Sequence, residues 1–200
     1  MQKPAHTQYT IHPLLQNRWS PRAFSKDAVE EDKLQSLLEA ARWASSCFNE
    51  QPWHFIVASN QHEKEHARMQ TCIVAGNSWA KLAPVLMITV AKLTFTHNET
   101  SNHHAYHDIG LAVGNLVVQA TDLGLSVHQM AGIYPDVAKS LYHIPEHYEA
   151  LTALAIGYVG DPQSLPGELR ERELAARTRR SLSDFVFSGQ WGQSSPIVQK

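Results

Sequence analysis

Apolar positions along this chain alternate between a helical and an extended period. Leu34, Leu37, Leu38, Ala41 and Ala44 fall on one helical stripe, with Glu30, Glu31 and Asp32 in its first turn. A short helix is predicted over 13–17, with proline in its first turn. Residues 54–58 and 85–91 read as strands. Between them, Asn60 is expected to cap a charged helix running to about Ala75. Residues 93–104 are polar and without period, which predicts a loop; over an active site it would tune substrate choice. A long helix over 107–123, ended by Gly124, is apolar almost all round. Such a helix must be covered on every side. Gly110 and Gly114, four apart, would admit another backbone. Two coverings are open, the rest of the same chain or a second subunit. A chain of 200 residues has few layers, which favours the second. A strand over 126–131, a helix over 135–142 and a strand over 151–159 follow, the last ending in Gly160-Asp161-Pro162. Beyond Pro166 the chain is polar and Arg-rich, then aromatic at Phe185, Phe187 and Trp191.

Composition narrows the class. At 43% hydrophobic and 18% charged, the chain can bury a sizeable core. A formal charge of −2, with no run of like charges, argues against a nucleic-acid or anionic-membrane surface. No apolar stretch approaches the ~18 residues of a membrane span, and the first six residues contain no apolar signal region. Cys47 and Cys72 make no disulfide framework and no CxxC pair. A single domain over 1–200 in a reducing, cytoplasmic setting is expected.

Chemistry concentrates in two polar stretches. Ser45-Ser46-Cys47-Phe48-Asn49-Glu50-Gln51-Pro52-Trp53 joins a predicted helix to a predicted strand. Ser46, Asn49 and Gln51 can donate and accept hydrogen bonds without charge, which suits a flat heterocycle. The same amides could equally satisfy only their own loop. In Arg18-Trp19-Ser20-Pro21-Arg22-Ala23-Phe24, two arginines four apart with a hydroxyl between them can converge on one phosphate.

Other patterns carry less. His62-Glu63-Lys64-Glu65-His66 satisfies the HExxH zinc pattern, but its charged surroundings predict a solvated surface element. His103, His104, His107 and Asp108 straddle a predicted helix start and read as loop and cap residues. Cys47 has no His/Asn arrangement to make it a nucleophile. No GxGxxG is present, so a Rossmann unit is not expected. No metal ligand is assigned.

Taken together, the two polar stretches make the chain resemble the nitroreductase family of FMN-dependent oxidoreductases. That family opens with Arg-x-Ser-x-Arg/Lys-x-Phe and continues, after one helix, with Ser-x-x-Asn-x-Gln-Pro-Trp; the likeness runs to near the C-terminus. It implies an α+β fold, with a mostly antiparallel sheet flanked by helices. It also implies a homodimer with FMN sites at the interface, residues 167–200 packing on the partner subunit. By the same resemblance Arg18, Ser20, Arg22, Arg177 and Arg179 hold the FMN phosphate, and Trp19 contributes its backbone; Arg179-Arg180 fits the late register as well. Ser46, Asn49 and Gln51 would meet the ring and ribityl groups. Gln129, Met130, Ala131 and Gly132 match a strand end beside the flavin ring, where many members carry Glu in place of Ala131. Asn77 matches an asparagine that several members place on the flavin pyrimidine. Cys47-Phe48 is bulkier than the family's usual small residues, which leaves substrate size open.

The implied reaction uses NADH or NADPH to reduce a small electron-poor acceptor, such as a nitroaromatic or quinone, in ping-pong turnover. It needs no side-chain acid or base, so no catalytic residue is named. Two rivals stay open: other redox chemistry at the same site (dehalogenation, dehydrogenation, flavin breakdown), and a non-enzymatic flavin-binding protein.

Overall fold

Four strands form one antiparallel sheet, covered by helices on both faces. A computed structural model describes residues 2–198. Its main elements are α1 (Pro13–Asn17), α2 (Glu31–Arg42), β1 (Trp53–Ser59), α3 (Glu63–Gln70), β2 (Val85–Lys92), α4 (Ala105–Asp122), β3 (Ser126–Met130), α5 (Pro135–Leu141), β4 (Tyr148–Gly157) and α6 (Gly167–Leu174). Strand order is β1-β2-β4-β3, with every neighbour antiparallel. This is the α+β class expected.

The period of two explains the layers. On β2, Val85 and Met87 point to a core shared with Leu37 and Ala41 of α2 and Leu116 of α4. Leu86, Ile88 and Val90 point to the other core, with Met69, Trp79 and Ile133. β4 divides in the same way, Leu154 and Ile156 against Ala153 and Ala155. A strand buried on both faces reads as a near-continuous apolar run, here broken only by Thr89, which is why 85–91 was legible as a strand.

Helix α4 is covered on one side only within the chain. Ala112, Val113, Leu116, Val117 and Ala120 are buried. Gly110, Leu111, Gly114 and Asn115 are exposed, and a Cβ added at either glycine would meet nothing within 4 Å.

Two expectations need correction. The helix after β1 stops at Gln70, and its cap is His62. Asn60 instead gives its amide to the Pro84 carbonyl at 2.8 Å. A long-range contact ends the helix early: Ile73 bridges Ile133, and Tyr134 N donates to Cys72 O. Residues 75–82 then form a separate 3-10 stretch. Second, α3 is not solvated all round. His66 is buried, with Nε2 2.9 Å from Ala83 O and Nδ1 3.0 Å from Gln70 Nε2. Nε2 thus joins α3 to the end of the 75–82 stretch, while Nδ1 meets Gln70 of the same helix, whose Nε2 also lies 3.2 Å from Lys81 O. The charged segment after Pro166, for which no element was assigned, contains a helix, α6, whose one buried residue is Glu173.

A close contact fixes the first arginine segment to the sheet. Phe24 bridges Val159, Gly160 N donates to Ala23 O at 2.8 Å, and Ser25 N donates to Tyr158 O at 2.9 Å. A Cβ at Gly160 would lie 2.6 Å from the Phe24 carbonyl carbon and oxygen. Backbone cannot swing aside as a side chain can. Gly160→Ala is therefore expected to cost about 1–3 kcal/mol by overpacking. A thermal melt and an FMN titration check this. An unchanged midpoint would mean that the contact is looser than it stands.

Candidate active site

The two ends of the chain meet around a cavity of about 220 Å³ lined by Arg18, Ser20, Arg22, Arg177 and Arg179, with Lys3 joining them. Arg18 ends α1 and reaches Ser20 Oγ at 3.2 Å. Trp19 is buried, with Lys3 Nζ 5.2 Å from its ring centroid, so its side chain anchors the segment. Arg177 donates to the carbonyls of Lys3 and Gln16, tying the tail to the N-terminal arm. Burial first, then repulsion from Arg177 and Arg179, lowers the pKa of Arg18. Burial and Arg179 lower that of Arg177. Cations brought this close favour an anion between them.

The carboxylate lining this cavity, Glu173, is already engaged. Its oxygens accept from Arg22 N at 2.9 Å and Ala23 N at 3.1 Å. Its nearest approach to the Arg22 guanidinium is 3.9 Å. Glu173 therefore shapes the arginine segment through its main chain and makes only a long ion pair with the Arg22 guanidinium. The donor set, several guanidiniums and a hydroxyl, fits a phosphate monoester.

The predicted ring-facing residues form two separate groups. At the end of β3, Asn77 Nδ2 donates to Gly132 O at 3.3 Å. A Cβ at Gly132 would lie 2.5 Å from that amide nitrogen, so glycine permits the contact. Gln129 and Ala131 are exposed here, while Met130 is buried. The second group precedes β1. Ser46 Oγ accepts Gln51 N at 3.0 Å, and Gln51 Nε2 donates to Asn49 O at 2.9 Å. Cys47 N donates to the buried Asp108 of α4 at 3.1 Å. Phe48, Asn49 and Gln51 have φ of 52°, 57° and 51°. Non-glycine residues hold such left-handed angles only where surrounding bonds over-determine them.

β1 and β3 are opposite edges of the sheet. Three strand spacings, about 14 Å, separate them. One chain thus assembles the phosphate cradle but does not bring its two ring-facing groups together.

The family model for nitroreductases matches residues 15–158. The chain belongs to the nitroreductase family. Membership carries FMN and NAD(P)H-dependent oxidoreductase chemistry with it. A solved oxidoreductase containing FMN is 33% identical, with a TM-score of 0.89, the match covering 94% of this chain and 96% of that one. The major NAD(P)H-flavin oxidoreductase of Aliivibrio fischeri is 28% identical over 192 residues, 74% of this chain and 88% of that protein. An NADPH-dependent oxidoreductase of Staphylococcus aureus strain MRSA252 is 26% identical over 194 residues, 88% of this chain and 72% of that protein.

Three residues of this nitroreductase-family chain escaped the motif reading. Lys3 lies in an arm with no pattern. Glu173 sits in a charged helix where nothing local marks it as buried. His128 falls inside the glycine-bracketed strand but carries no motif. Its Nδ1 lies 2.9 Å from Pro21 O, and its ring centroid is 4.4 Å from that of Trp79. β3 thereby holds the middle of the arginine segment. Burial above all, with help from Arg22 and Arg18, pulls the His128 pKa down to about 4 from an ordinary 6.5, against hydrogen bonds to Pro21 and Ser20 that raise it.

The sign of the pH effect follows. Above about 6.5 the ring is neutral folded and unfolded, and its contribution to stability is complete. As pH falls toward 4, the unfolded chain takes up a proton that the folded one refuses. Stability should drop by about 3 kcal/mol over that window. Denaturant melts from pH 7 to 4 should show this slope, and His128→Gln should flatten it. An equal slope in that variant would assign it to other groups.

Proposed function

We propose that the protein is a homodimeric, FMN-dependent oxidoreductase that uses NADH or NADPH to reduce nitroaromatics, quinones or similar small electron-poor acceptors by a ping-pong mechanism. The observation that carries this reading is the cavity walled by Arg18, Ser20, Arg22, Arg177 and Arg179. When bound, FMN would supply the redox chemistry, taking hydride from the nicotinamide and returning electrons to the acceptor. The chain's own part is to bind and orient. The arginines and Ser20 hold phosphate; Asn77 and the 129–132 backbone line one side of the ring; Ser46, Asn49 and Gln51 approach it from a second copy.

The separation of the two ring-facing groups supports the dimer, because one chain alone leaves them on opposite sheet edges. The open stripe of α4 at Gly110 and Gly114 supports it as well. So does the tail. Phe187 bridges Ser194, and Trp191, between two left-handed glycines, is 91% exposed. Of the expected extension over 167–200, Glu173 and Arg177 hold their own chain, so the part that would pack on the partner is the stretch beyond Arg179; Gln199 and Lys200 lie outside the described residues. No helix among the described residues is long and apolar enough to cross a membrane, and Cys47 and Cys72 are free thiols. A reducing cytoplasm fits these features.

The test is a visible spectrum of the purified protein, then NADH or NADPH added without oxygen. A flavin spectrum that bleaches, and returns when menadione or a nitroaromatic is added, is the expected result. Bound flavin that neither nucleotide bleaches would favour a binding protein. Absence of flavin after FMN is supplied would reject the site.

A further inference from the structure

The loop expected over 93–104 is present, and it is folded back on itself. Thr94 bridges Ser101, Phe95 N donates to Thr100 O at 2.9 Å, and Asn102 N donates to Leu93 O at 2.7 Å. Glu50 fastens this hairpin to the segment that carries Asn49 and Gln51. Its side chain is 6% exposed. One oxygen, Oε1, accepts from Thr96 N at 2.8 Å, from Lys92 Nζ at 3.2 Å and from Thr96 Oγ1. Burial pushes the Glu50 pKa up, but the bonds from Thr96 and Lys92 outweigh it and hold the group below its ordinary value. It is a buried, charged clamp.

The clamp sets three rings side by side. Phe48 and Phe95 meet edge to face, with centroids 6.0 Å apart. His97 lies 6.4 Å from Phe48 and 5.5 Å from Phe95. Phe48 is 85% exposed and adjoins Asn49 in the chain, so an aromatic surface stands open beside the ring-facing amides. Phenyl faces are electron-rich, and an electron-poor aromatic stacks on them favourably. An acceptor without a ring gains nothing of the kind.

We propose that Glu50 is a positioning residue that holds Phe95 and His97 against Phe48, and that these three rings form a preassembled wall selecting flat aromatic acceptors. The proposal rests on the functional reading above and names the acceptor class of that same site. Steady-state rates of the FMN-loaded, full-length protein test it, with menadione as the aromatic acceptor and ferricyanide as one that cannot stack. The quantity read is the menadione-to-ferricyanide ratio of kcat/KM. It should fall about 3- to 10-fold in Phe95→Leu and in the exposed variant His97→Ala, mainly through KM for menadione. Glu50→Ala should lower it as well. Glu50→Gln, which keeps an oxygen for Thr96, should recover most of the loss.

An unchanged ratio in Phe95→Leu and His97→Ala would overturn the proposal while the functional reading stood. Glu50→Ala that sheds FMN would place Glu50 in the cofactor site and overturn its positioning role. Wild-type protein inert toward both acceptors would reject the functional reading, and the wall with it.

Discussion

Arg22→Ala is expected to weaken FMN retention about 10- to 100-fold, because a charge-assisted bond to phosphate is worth about 1.5–3 kcal/mol. The variant removes the guanidinium's long ion pair with the buried Glu173, at 3.9 Å, but leaves the main-chain anchors of the segment in place. Glu173 binds the Arg22 segment through the amides of residues 22 and 23, and both survive the change. The guanidinium lies 5.9 Å from the Trp79 ring centroid, a contact at the outer limit of a cation–π interaction. A fluorescence titration with FMN measures the loss, and a melt of the FMN-free protein measures separately the cost of leaving the buried Glu173 without its cation. Equal FMN affinity in wild type and variant would remove Arg22 from the cradle.

Glu173→Ala should act in the opposite manner, on the fold first. It deletes the acceptor of two main-chain amides where the segment carrying both early arginines turns. Each buried donor left unpaired costs about 1–3 kcal/mol. The sum, about 2–6 kcal/mol, would lower the melting midpoint by roughly 4–24 °C in a chain of this size. Glu173→Gln retains one accepting oxygen and should lose less. FMN binding should weaken in both, since the arginine segment loses its anchor. A midpoint within about 1 °C of wild type in Glu173→Ala would show that water replaces the carboxylate.

What the amino-acid order disclosed, and what it withheld, follow from how local each interaction is. α1 and α2 were legible because proline, acidic first-turn residues and a single apolar stripe act within a few positions of each other. β2 was legible because burial on both faces leaves a nearly continuous apolar run, interrupted only by Thr89 between 85 and 91. The end of α3 was not, since a bridge from Ile73 to Ile133, sixty residues away, decides it. The arginine motifs were readable as a pair, and the chain folds them around one cavity. Glu173, Lys3 and His128 were not readable, because each works through a carbonyl or amide supplied by a distant segment. The left-handed angles at Phe48 and Gln51 were hidden for a different reason: neither is a residue type that favours them, and only Asn49 carries a local signal.

The placement of the two ring-facing groups on opposite edges of one sheet has a consequence for how such a protein behaves in a cell. If the site closes only across a subunit boundary, subunit separation and flavin loss are a single linked equilibrium. Free FMN at 100 times its Kd would then hold the assembled form by about 2.7 kcal/mol. Dilution would strip flavin without any change in intrinsic affinity. Turnover per chain would rise with the amount of protein made, so that expression level and flavin supply together set a threshold below which the chains are present but idle.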